Sequence, residues 1–289
     1  MKNKQSFSNT DICLFVPSLE GGGAEKIFAN LAIYLQKKDF KSDLLLGYKK
    51  GINLNKLSNQ INIHSLETRG RYYIFGFIKY FLKNKPKKIY STLLSANFTN
   101  CICKMLLFSK SIHVVREANI IILPNFFLKK LFFKTIYLSY YFADYIIANS
   151  QDTKNSLIKI YPFLEKKIQV IHNPVFFNKE YNKNPYKEKY LENNEVIFLG
   201  VGRLVSQKNF NLLIKSFYHV QKKVKSKLII LGNGDQKNKL IKTCNDLNII
   251  NKVQFLEYEY NIDKIYNQSN IFVLSSKYEG FGNVIVEAM

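Results

Sequence analysis

Residues 12–37, ICLFVPSLEGGGAEKIFANLAIYLQK, hold an apolar run, a glycine-rich turn and an amphipathic segment in that order. The apolar run at residues 12–16 is continuous, which is typical of a strand buried on both faces. Ile27, Leu31 and Leu35 recur every four residues and predict a helix over residues 24–37. A strand, a tight turn and a helix in succession form the start of the unit from which parallel sheets are built.

The same alternation continues along the chain and predicts two domains. Up to residue 177, further strands are predicted at residues 43–46, 61–64, 89–92, 112–115, 145–148 and 168–171. Residues 178–194, NKEYNKNPYKEKYLENN, are polar and lack periodicity, which is typical of a linker. The alternation then resumes, with strands predicted at residues 196–200, 228–231, 253–256 and 271–274 and helices at residues 210–223, 236–244 and 262–268. We therefore expect an α/β protein whose two doubly wound domains, residues 1–177 and 195–289, bind ligands beyond the carboxyl ends of their strands.

The composition of the 289 residues excludes a disordered chain and leaves a strong positive charge to explain. Hydrophobic residues make up 47% and charged residues 22%, which are ordinary values for a globular protein. The net charge of +22 favours a polyanionic partner such as a nucleic acid, an anionic membrane or a phosphorylated ligand. Nearly all the basic residues are Lys, so the codon bias of an AT-rich genome is the alternative explanation. Because Arg is the favoured reader of guanine edges, we expect no nucleic-acid partner.

The cysteines and the apolar runs indicate reduced thiols, no metal site and no membrane span. Cys101 and Cys103 are one residue apart with no second pair nearby, which is poor spacing for zinc. The start of the chain, MKNKQSFSNTD, is polar, unlike a signal peptide. No stretch reaches the ~18 uninterrupted apolar residues of a membrane helix. We therefore expect a cytoplasmic protein.

Two glycine-containing motifs follow predicted strands and suit an anionic ligand. SLEGGGAEK, residues 18–26, opens a helix, so its glycines let a ligand approach free N–H groups at the positive end of the helix dipole. GVGRLVSQKNF, residues 200–210, places Arg203 and Lys208 in one loop, where a guanidinium and an ammonium would clamp a diphosphate. The alternatives are a flexible turn in the first motif and two solvated cations in the second.

A third motif, SSKYEGFGNVIVEAM at residues 275–289, carries two carboxylates. Glu279 lies in a loop that Gly280 and Gly282 loosen, and Glu287 lies about one turn into the predicted helix. One carboxylate could accept hydrogen bonds from sugar hydroxyls and the other from ribose hydroxyls, while the glycines expose N–H groups. The alternative is an acidic cap at the start of a helix.

With these motifs the chain resembles a retaining nucleotide-sugar glycosyltransferase of family 4 with the GT-B fold. The matching segments are SLEGGGAEK (18–26), ANSQDTK (148–154), VIHNPV (170–175), GVGRLVSQK (200–208), LGNGD (231–235), VQFLEY (253–258) and YEGFGNVIVEAM (278–289). The resemblance implies two Rossmann-like domains that face each other across a cleft, the second incomplete because relatives continue with another strand and helix. It also implies metal-independent transfer of a hexose or N-acetylhexosamine from a UDP sugar to a lipid-linked, polysaccharide or lipopolysaccharide acceptor.

The resemblance implies a role for each site residue. Arg203 and Lys208 would hold the donor diphosphate and stabilise the departing phosphate, and Glu279 would contact the transferred sugar. The other donor contacts would come from Gly22, Gly23, Phe281, Gly282, Asn283 and, at the ribose, Glu287. The acceptor side would contain Arg116, Glu117 and Asn119, from the segment VVREAN, which is similar to an acidic-Arg-Asn segment of one subset of the family.

Aromatic and basic residues are mixed in two segments, residues 69–88 and 125–142. In the second, Phe126, Phe127 and Phe133 alternate with Lys129, Lys130 and Lys134, which predicts a helix that lies in an anionic membrane interface. Each Lys there would add ~1 kcal/mol of attraction. The alternative is a buried packing helix with solvated lysines. Because the acceptor of this subset is often a lipid carrier, we expect a peripheral protein on the cytoplasmic face of the inner membrane.

Three other functions are compatible with the sequence. A UDP-sugar 2-epimerase has the same GT-B fold and would convert a UDP sugar without an acceptor. A non-catalytic or split-gene fragment of a glycosyltransferase would have the rest of its second domain encoded just downstream. A nucleic-acid-binding module would bind with a steep dependence on salt. We take the glycosyltransferase as the prediction and these three as the alternatives.

Overall fold

The computed structural model describes residues 10–68, 70–174, 195–257 and 262–289. The chain divides into two units, Met1–Pro174 and Val175–Met289, each with a sheet of its own. The predicted linker, residues 178–194, lies outside the described residues.

The first unit is built on a seven-stranded parallel sheet. Its strands are β1 Ile12–Val16, β2 Ser42–Leu46, β3 Asn62–Ser65, β4 Lys88–Thr92, β5 Ile112–Glu117, β6 Tyr145–Ala148 and β7 Ile168–Val170. Its described α-helices are α1 Gly23–Lys37, α2 Tyr73–Asn84, α3 Leu94–Leu106, α4 Phe127–Leu138 and α5 Gln151–Ile160. The strand order is β3-β2-β1-β4-β5-β6-β7. The order reverses between β1 and β4, so the carboxyl ends of these two strands flank the crevice where such sheets bind ligands.

Both faces of the first sheet are buried. Alternate residues of β1 point to opposite faces, so Leu14 packs with Phe28 of α1 while Phe15 packs with Phe77 of α2. Burial on both faces requires a continuous apolar strand, which is why the apolar runs of the sequence locate these strands.

The second unit is built on a four-stranded parallel sheet. Its strands are β8 Val196–Val201, β9 Ser226–Leu231, β10 Val253–Leu256 and β11 Ile271–Phe272. Its described α-helices are α6 Phe210–Val220, α7 Lys237–Asp246, α8 Ile262–Asn267 and α9 Asn283–Ala288. The order is β10-β9-β8-β11. β9 and β10 are added on one side of β8 and β11 is added on the other, so the strand order reverses between β8 and β11. The loops after these two strands therefore flank the ligand crevice of this sheet, and they are the loops that carry the second and third motifs.

Several boundaries differ from the predicted ones for local reasons. β11 covers two residues rather than the predicted four, because the chain turns away into a loop after the N–H of Val273 donates to Leu199 O at 2.8 Å. α7 extends to Asp246 and ends where Asn248 adopts a left-handed conformation, φ 54°, which is a common helix stop. Among the described residues, the longest apolar helices are too short or too charged to cross a bilayer.

Candidate active site

The loop after β8 carries Arg203 and Lys208 at the crevice end of the second sheet. Leu204 is fully buried, and its N–H donates to Asn233 O at 2.9 Å, while the neighbouring Arg203 is exposed. A Cβ on Gly202, φ +153°, would lie 3.2 Å from Cε of Lys208. A buried leucine therefore anchors this loop, and Gly202 leaves room for the lysine side chain.

The glycines of the segment LGNGD support this loop from the end of β9. A Cβ on Gly232, φ +148°, would lie 1.9 Å from Gly202 O, and a Cβ on Gly234 would lie 2.4 Å from Leu204 O. The N–H of Gly202 donates to Leu231 O at 3.0 Å. These positions require glycine because two backbones touch there, so the segment supports the cation loop.

Lys208 and Glu279 form an ion pair between the loops after β8 and β11. Their Nζ and Oε1 atoms are 2.5 Å apart, and the side chains are only 14% and 20% exposed. An ammonium has three N–H donors, and Glu279 is its one partner in the part of the chain that the structure describes, so two donors remain for a ligand. Lys208 can therefore bind a phosphate oxygen while Glu279 accepts a hydrogen bond from an adjacent hydroxyl.

Glu287 lies on a helix, α9, and not in the loop that carries Glu279. α9 begins after Gly282, whose φ of +70° is left-handed, and carries Glu287 near its end. The Tyr266 hydroxyl lies 3.3 Å from Oε2 of Glu287. Phe281 and Asn283 are half-buried beside Gly282. The structure thus brings Lys208 and Glu279 together and places Glu287 on the helix that follows.

The glycine-rich turn of the first unit opens α1 as predicted. Gly22 is the residue before the helix, α1 begins at Gly23, and Gly22 itself has no side chain with which to cap the helix start. A Cβ on Gly22 would lie 2.2 Å from Oε2 of Glu25, so the Glu25 carboxylate folds back over the start of the helix. A carboxylate is favoured there by the helix dipole. The Glu25 carboxylate therefore lies against Gly22, one of the two glycines to which the sequence motif assigns a donor contact.

Arg116 is buried at the end of β5, close to the ligand crevice of the first sheet. Its Nη1 donates to Thr92 Oγ1 at 3.1 Å and its Nη2 donates to Asn173 Oδ1 at 2.5 Å. Thr92 ends β4, and Asn173 belongs to the segment VIHNPV. The guanidinium therefore ties three carboxyl-edge segments of this unit together.

Glu117 continues the same buried network. The Tyr140 hydroxyl donates to its Oε2 at 3.0 Å, and Asn97 Nδ2 donates to the Tyr140 oxygen at 2.9 Å. Burial raises the pKa of the Glu117 carboxyl, while the hydrogen bond from Tyr140 opposes that rise. Asn119 is exposed. Of the three acceptor-side candidates, Asn119 is the one whose side chain faces solvent.

α4 has one face on the core and a second apolar face in solvent. The exposed apolar side chains, 53–74% accessible, are Phe126, Phe127, Leu128, Leu131 and Phe132. Lys129, Lys130 and Lys134 are exposed as well. The prediction that Phe133 faces a membrane is wrong: it packs against the buried cluster that contains Tyr137, because residues 133 and 137 share one side of the helix.

The other aromatic and basic segment is a packing helix over most of its length. Tyr73, Phe77 and Tyr80 of α2 are buried against the first sheet, although Phe75 is exposed. Their spacing of four and three residues is that of one buried helix face. For residues 69–88 the packing alternative is therefore the better description of the residues that the structure describes.

Sequence reasoning missed several residues that hold the site. Gln207 contacts the loop of Glu279, and Tyr266 contacts Glu287 on α9. Asn173 and Tyr140 contact the two buried candidates on β5. Asn173 had a signal, since it is a polar residue inside the quoted segment VIHNPV. For Gln207 the only signal in the sequence was its position directly before Lys208.

Comparison with known proteins identifies the family. The model of "Glycosyltransferase Family 4" matches residues 21–177, and the model of "Glycosyl transferases group 1" matches residues 182–289. The N-acetylgalactosamine-N,N'-diacetylbacillosaminyl-diphospho-undecaprenol 4-alpha-N-acetylgalactosaminyltransferase of Campylobacter jejuni is 30% identical over 96% of this chain and 77% of its own length. An uncharacterized glycosyltransferase of Methanocaldococcus jannaschii is 36% identical over 52% of this chain and 38% of its own length.

Solved structures share the fold. The structure of Anabaena HepE in complex with UDP and glucose matches with a TM-score of 0.78 at 19% identity, over 96% of this chain and 78% of that one. WaaG, a glycosyltransferase involved in lipopolysaccharide biosynthesis, matches with a TM-score of 0.75 at 11% identity, over 96% and 78% of the two chains. The chain therefore belongs to glycosyltransferase family 4: it is a glycosyltransferase with the GT-B fold.

Proposed function

We propose that this enzyme transfers a hexose or N-acetylhexosamine from a UDP sugar to a lipid-linked or surface-polysaccharide acceptor, with retention of anomeric configuration. The observation that carries the proposal is the shielded Lys208–Glu279 pair at the point where the second sheet reverses its strand order. The name of the Campylobacter relative specifies a diphospho-undecaprenol-linked substrate, and HepE was solved with UDP and glucose. Both support the assignment of the donor and acceptor classes.

In the proposed step, the bond between sugar C1 and the phosphate oxygen breaks, and its electron pair stays on the phosphate. Lys208, whose side chain is mostly shielded from water, and the exposed Arg203 stabilise that charge. The acceptor hydroxyl forms the new bond to C1 on the same face, and its proton passes to the departing phosphate. Glu279 accepts a hydrogen bond from the transferred sugar, and Glu287 accepts one from the ribose.

The remaining donor contacts are also proposed. Backbone groups of Phe281, Gly282 and Asn283 lie at the start of α9, next to the loop of Glu279, and can bind sugar or phosphate oxygens. Two side-chain cations neutralise a diphosphate without a metal ion, so we expect activity to persist when EDTA is added. A complete loss of activity in EDTA that Mg²⁺ or Mn²⁺ restores would contradict this part.

In this proposal the acceptor side of the first unit is formed around the carboxyl end of β5, where Arg116 and Glu117 are buried. Arg116 and Glu117 have their polar atoms engaged inside the unit, so they hold the local backbone and the exposed Asn119 meets the acceptor. Asn119→Ala should then raise the KM for the acceptor and leave the KM for the UDP sugar unchanged. The reverse pattern would move Asn119 to the donor.

Calorimetric titration with UDP tests the donor site. Lys208→Gln and Arg203→Gln should each weaken binding by about 10-fold or more, because a hydrogen bond to a charged group contributes roughly 1.5–3 kcal/mol. Lys215→Gln is the matched control, since Lys215 is exposed on α6. Wild-type affinity in both site variants would remove the diphosphate from this loop.

We further propose that α4 docks on an anionic membrane, at the cytoplasmic face. Three exposed lysines border a stripe of exposed phenylalanine and leucine side chains, which suits a surface with anionic headgroups over an apolar interior. A lipid-linked acceptor must be reached at such a surface. The docking is peripheral, through charge and shallow insertion.

Co-sedimentation with phosphatidylglycerol vesicles tests this docking. Replacing Lys129, Lys130 and Lys134 by Gln should remove most of the salt-sensitive binding, since the Debye length falls from ~10 Å at 0.1 M to ~3 Å at 1 M salt. The matched control replaces the exposed Lys37, Lys38 and Lys41 by Gln. Equal binding by both triple variants would show that charge alone, without α4, attracts the protein.

A further inference from the structure

The loop at residues 275–279, here called the glutamate loop, has few supports of its own. In the part of the chain that the structure describes, the hydrogen bonds of this loop go to Gln207 or Lys208. Ser275 Oγ donates to Lys208 O at 2.9 Å, and the N–H of Lys277 donates to Gln207 O at 2.9 Å. The enclosed Ser276 hydroxyl has no partner among the described residues. The position of Glu279 therefore depends on the loop after β8.

Gln207 is the residue that links the two loops on both its main chain and its side chain. Besides accepting from Lys277, it donates from Nε2 to Tyr278 O at 3.0 Å. Gln207 directly precedes Lys208, and Tyr278 directly precedes Glu279. The hydrogen bond of the neutral amide thus lies next to the ion pair. It sets the distance between the main chain at Lys208 and the main chain at Glu279.

The loop after β8 is anchored independently of these contacts. Leu204 and Phe210, on either side of Gln207, are buried in the core of the second unit. The N–H of Lys208 donates to Val205 O at 3.0 Å within the loop. Loss of the Gln207 amide should therefore move the glutamate loop and leave Lys208 where it is.

We propose that Gln207 is a positioning residue that holds Glu279 against the transferred sugar. The proposal rests on the proposed function in assigning Glu279 to the sugar. It separates the two partners of the ion pair: Lys208 lies in a loop that the core anchors, whereas Glu279 lies in a loop whose hydrogen bonds go to Gln207 and Lys208, with the Gln207 amide bonded directly beside Glu279. An amide suits this place because its N–H₂ donates to a carbonyl without adding charge beside Glu279.

Gln207→Met keeps the length of the side chain and loses the N–H donor. We expect this variant to have a lower kcat and an unchanged affinity for UDP. We expect kcat to fall about 10- to 100-fold, since a displacement of about 1 Å at a reacting centre can have that effect. The Kd for UDP should change less than twofold, because UDP lacks the sugar. Gln207→Glu should lose at least as much kcat, since its carboxylate would face the Tyr278 carbonyl. The control is Gln221→Met, whose amide also donates to a main-chain carbonyl, that of Tyr218 at 3.2 Å, on the surface of the same unit.

Hydrogen–deuterium exchange tests the same link without activity. In Gln207→Met, amides of residues 275–280 should exchange faster than in wild type, while amides of β9 keep their rates. Faster exchange with unchanged kcat, in a preparation where Glu279→Ala is inactive, overturns the positioning role. Unchanged exchange and unchanged kcat overturn it too. If the wild type transfers no sugar and binds no UDP, the proposed function fails, and the exchange result alone decides whether Gln207 supports the loop.

Discussion

Replacing Lys208 by Gln should weaken UDP binding, whereas replacing Glu279 by Gln should leave it nearly unchanged. The Lys208 ammonium is mostly shielded from water, so its bond to a phosphate oxygen is screened little and belongs in the upper part of the roughly 1.5–3 kcal/mol range for charged hydrogen bonds. That corresponds to a 10- to 100-fold rise in Kd, at about 1.4 kcal/mol per factor of ten. The variant also leaves the Glu279 carboxylate beside the diphosphate without its cation, which adds repulsion.

Glu279→Gln removes one acceptor from Nζ and leaves the ammonium to the ligand, so we expect Kd to change less than about threefold. In the double variant the repulsion is gone, so UDP should bind more tightly than it does to Lys208→Gln. Isothermal titration of wild type, the two single variants and the double variant with UDP measures how far the effects of the two substitutions on Kd depend on each other. Circular dichroism checks that each variant folds. If Glu279→Gln weakens binding as much as Lys208→Gln, or if the two effects simply add, the pair does not act at a phosphate site.

Three further predictions concern other residues. Glu287→Ala should raise the Kd for UDP about 5- to 30-fold through loss of the ribose contact, and calorimetry that finds equal Kd values would exclude that role. Burial lowers the pKa of His113 to about 4, so its contribution to folding is complete above pH 6.5 and is lost as the pH falls towards 4. Urea unfolding should therefore lose up to about 3 kcal/mol over that interval, and His113→Gln should lose most of this dependence; an unchanged pH profile would assign it to other groups. Gly232→Ala should destabilise the second unit by several kcal/mol, since its Cβ would overlap Gly202 O, and a melting temperature within about 2 °C of wild type would contradict the close approach.

The strands were the part of the fold that the sequence could predict. A parallel strand buried on both faces must be apolar on both, so the run Ile12–Val16 coincides with the observed element. β11 was overestimated because Val273 is apolar for core packing and yet begins a loop. Hydrophobicity reports burial, and a buried loop residue and a buried strand residue look alike.

The site was predictable in part. Arg203, Lys208 and Glu279 follow predicted strands, so the sequence placed them at the ligand-binding edge of the second sheet. The ion pair of Lys208 with Glu279 was not predicted, because it joins two loops that are far apart along the chain. Phe133 was misassigned because a helix with two apolar faces gives no sign of which face is buried. Gln207 was missed because its role comes from a contact 71 positions away along the chain, which no local pattern encodes.

The most direct measurement is transfer of radiolabelled sugar by the purified chain from a panel of UDP-hexoses and UDP-N-acetylhexosamines to undecaprenyl-diphosphate-linked acceptors in vesicles. Wild type should place label from at least one UDP sugar in the lipid fraction, and Glu279→Ala, which still binds UDP, should not. Label that enters the lipid equally with both proteins would contradict the role of the Lys208–Glu279 pair. A wild-type protein that converts the UDP sugar to an epimer without any acceptor would contradict glycosyl transfer itself.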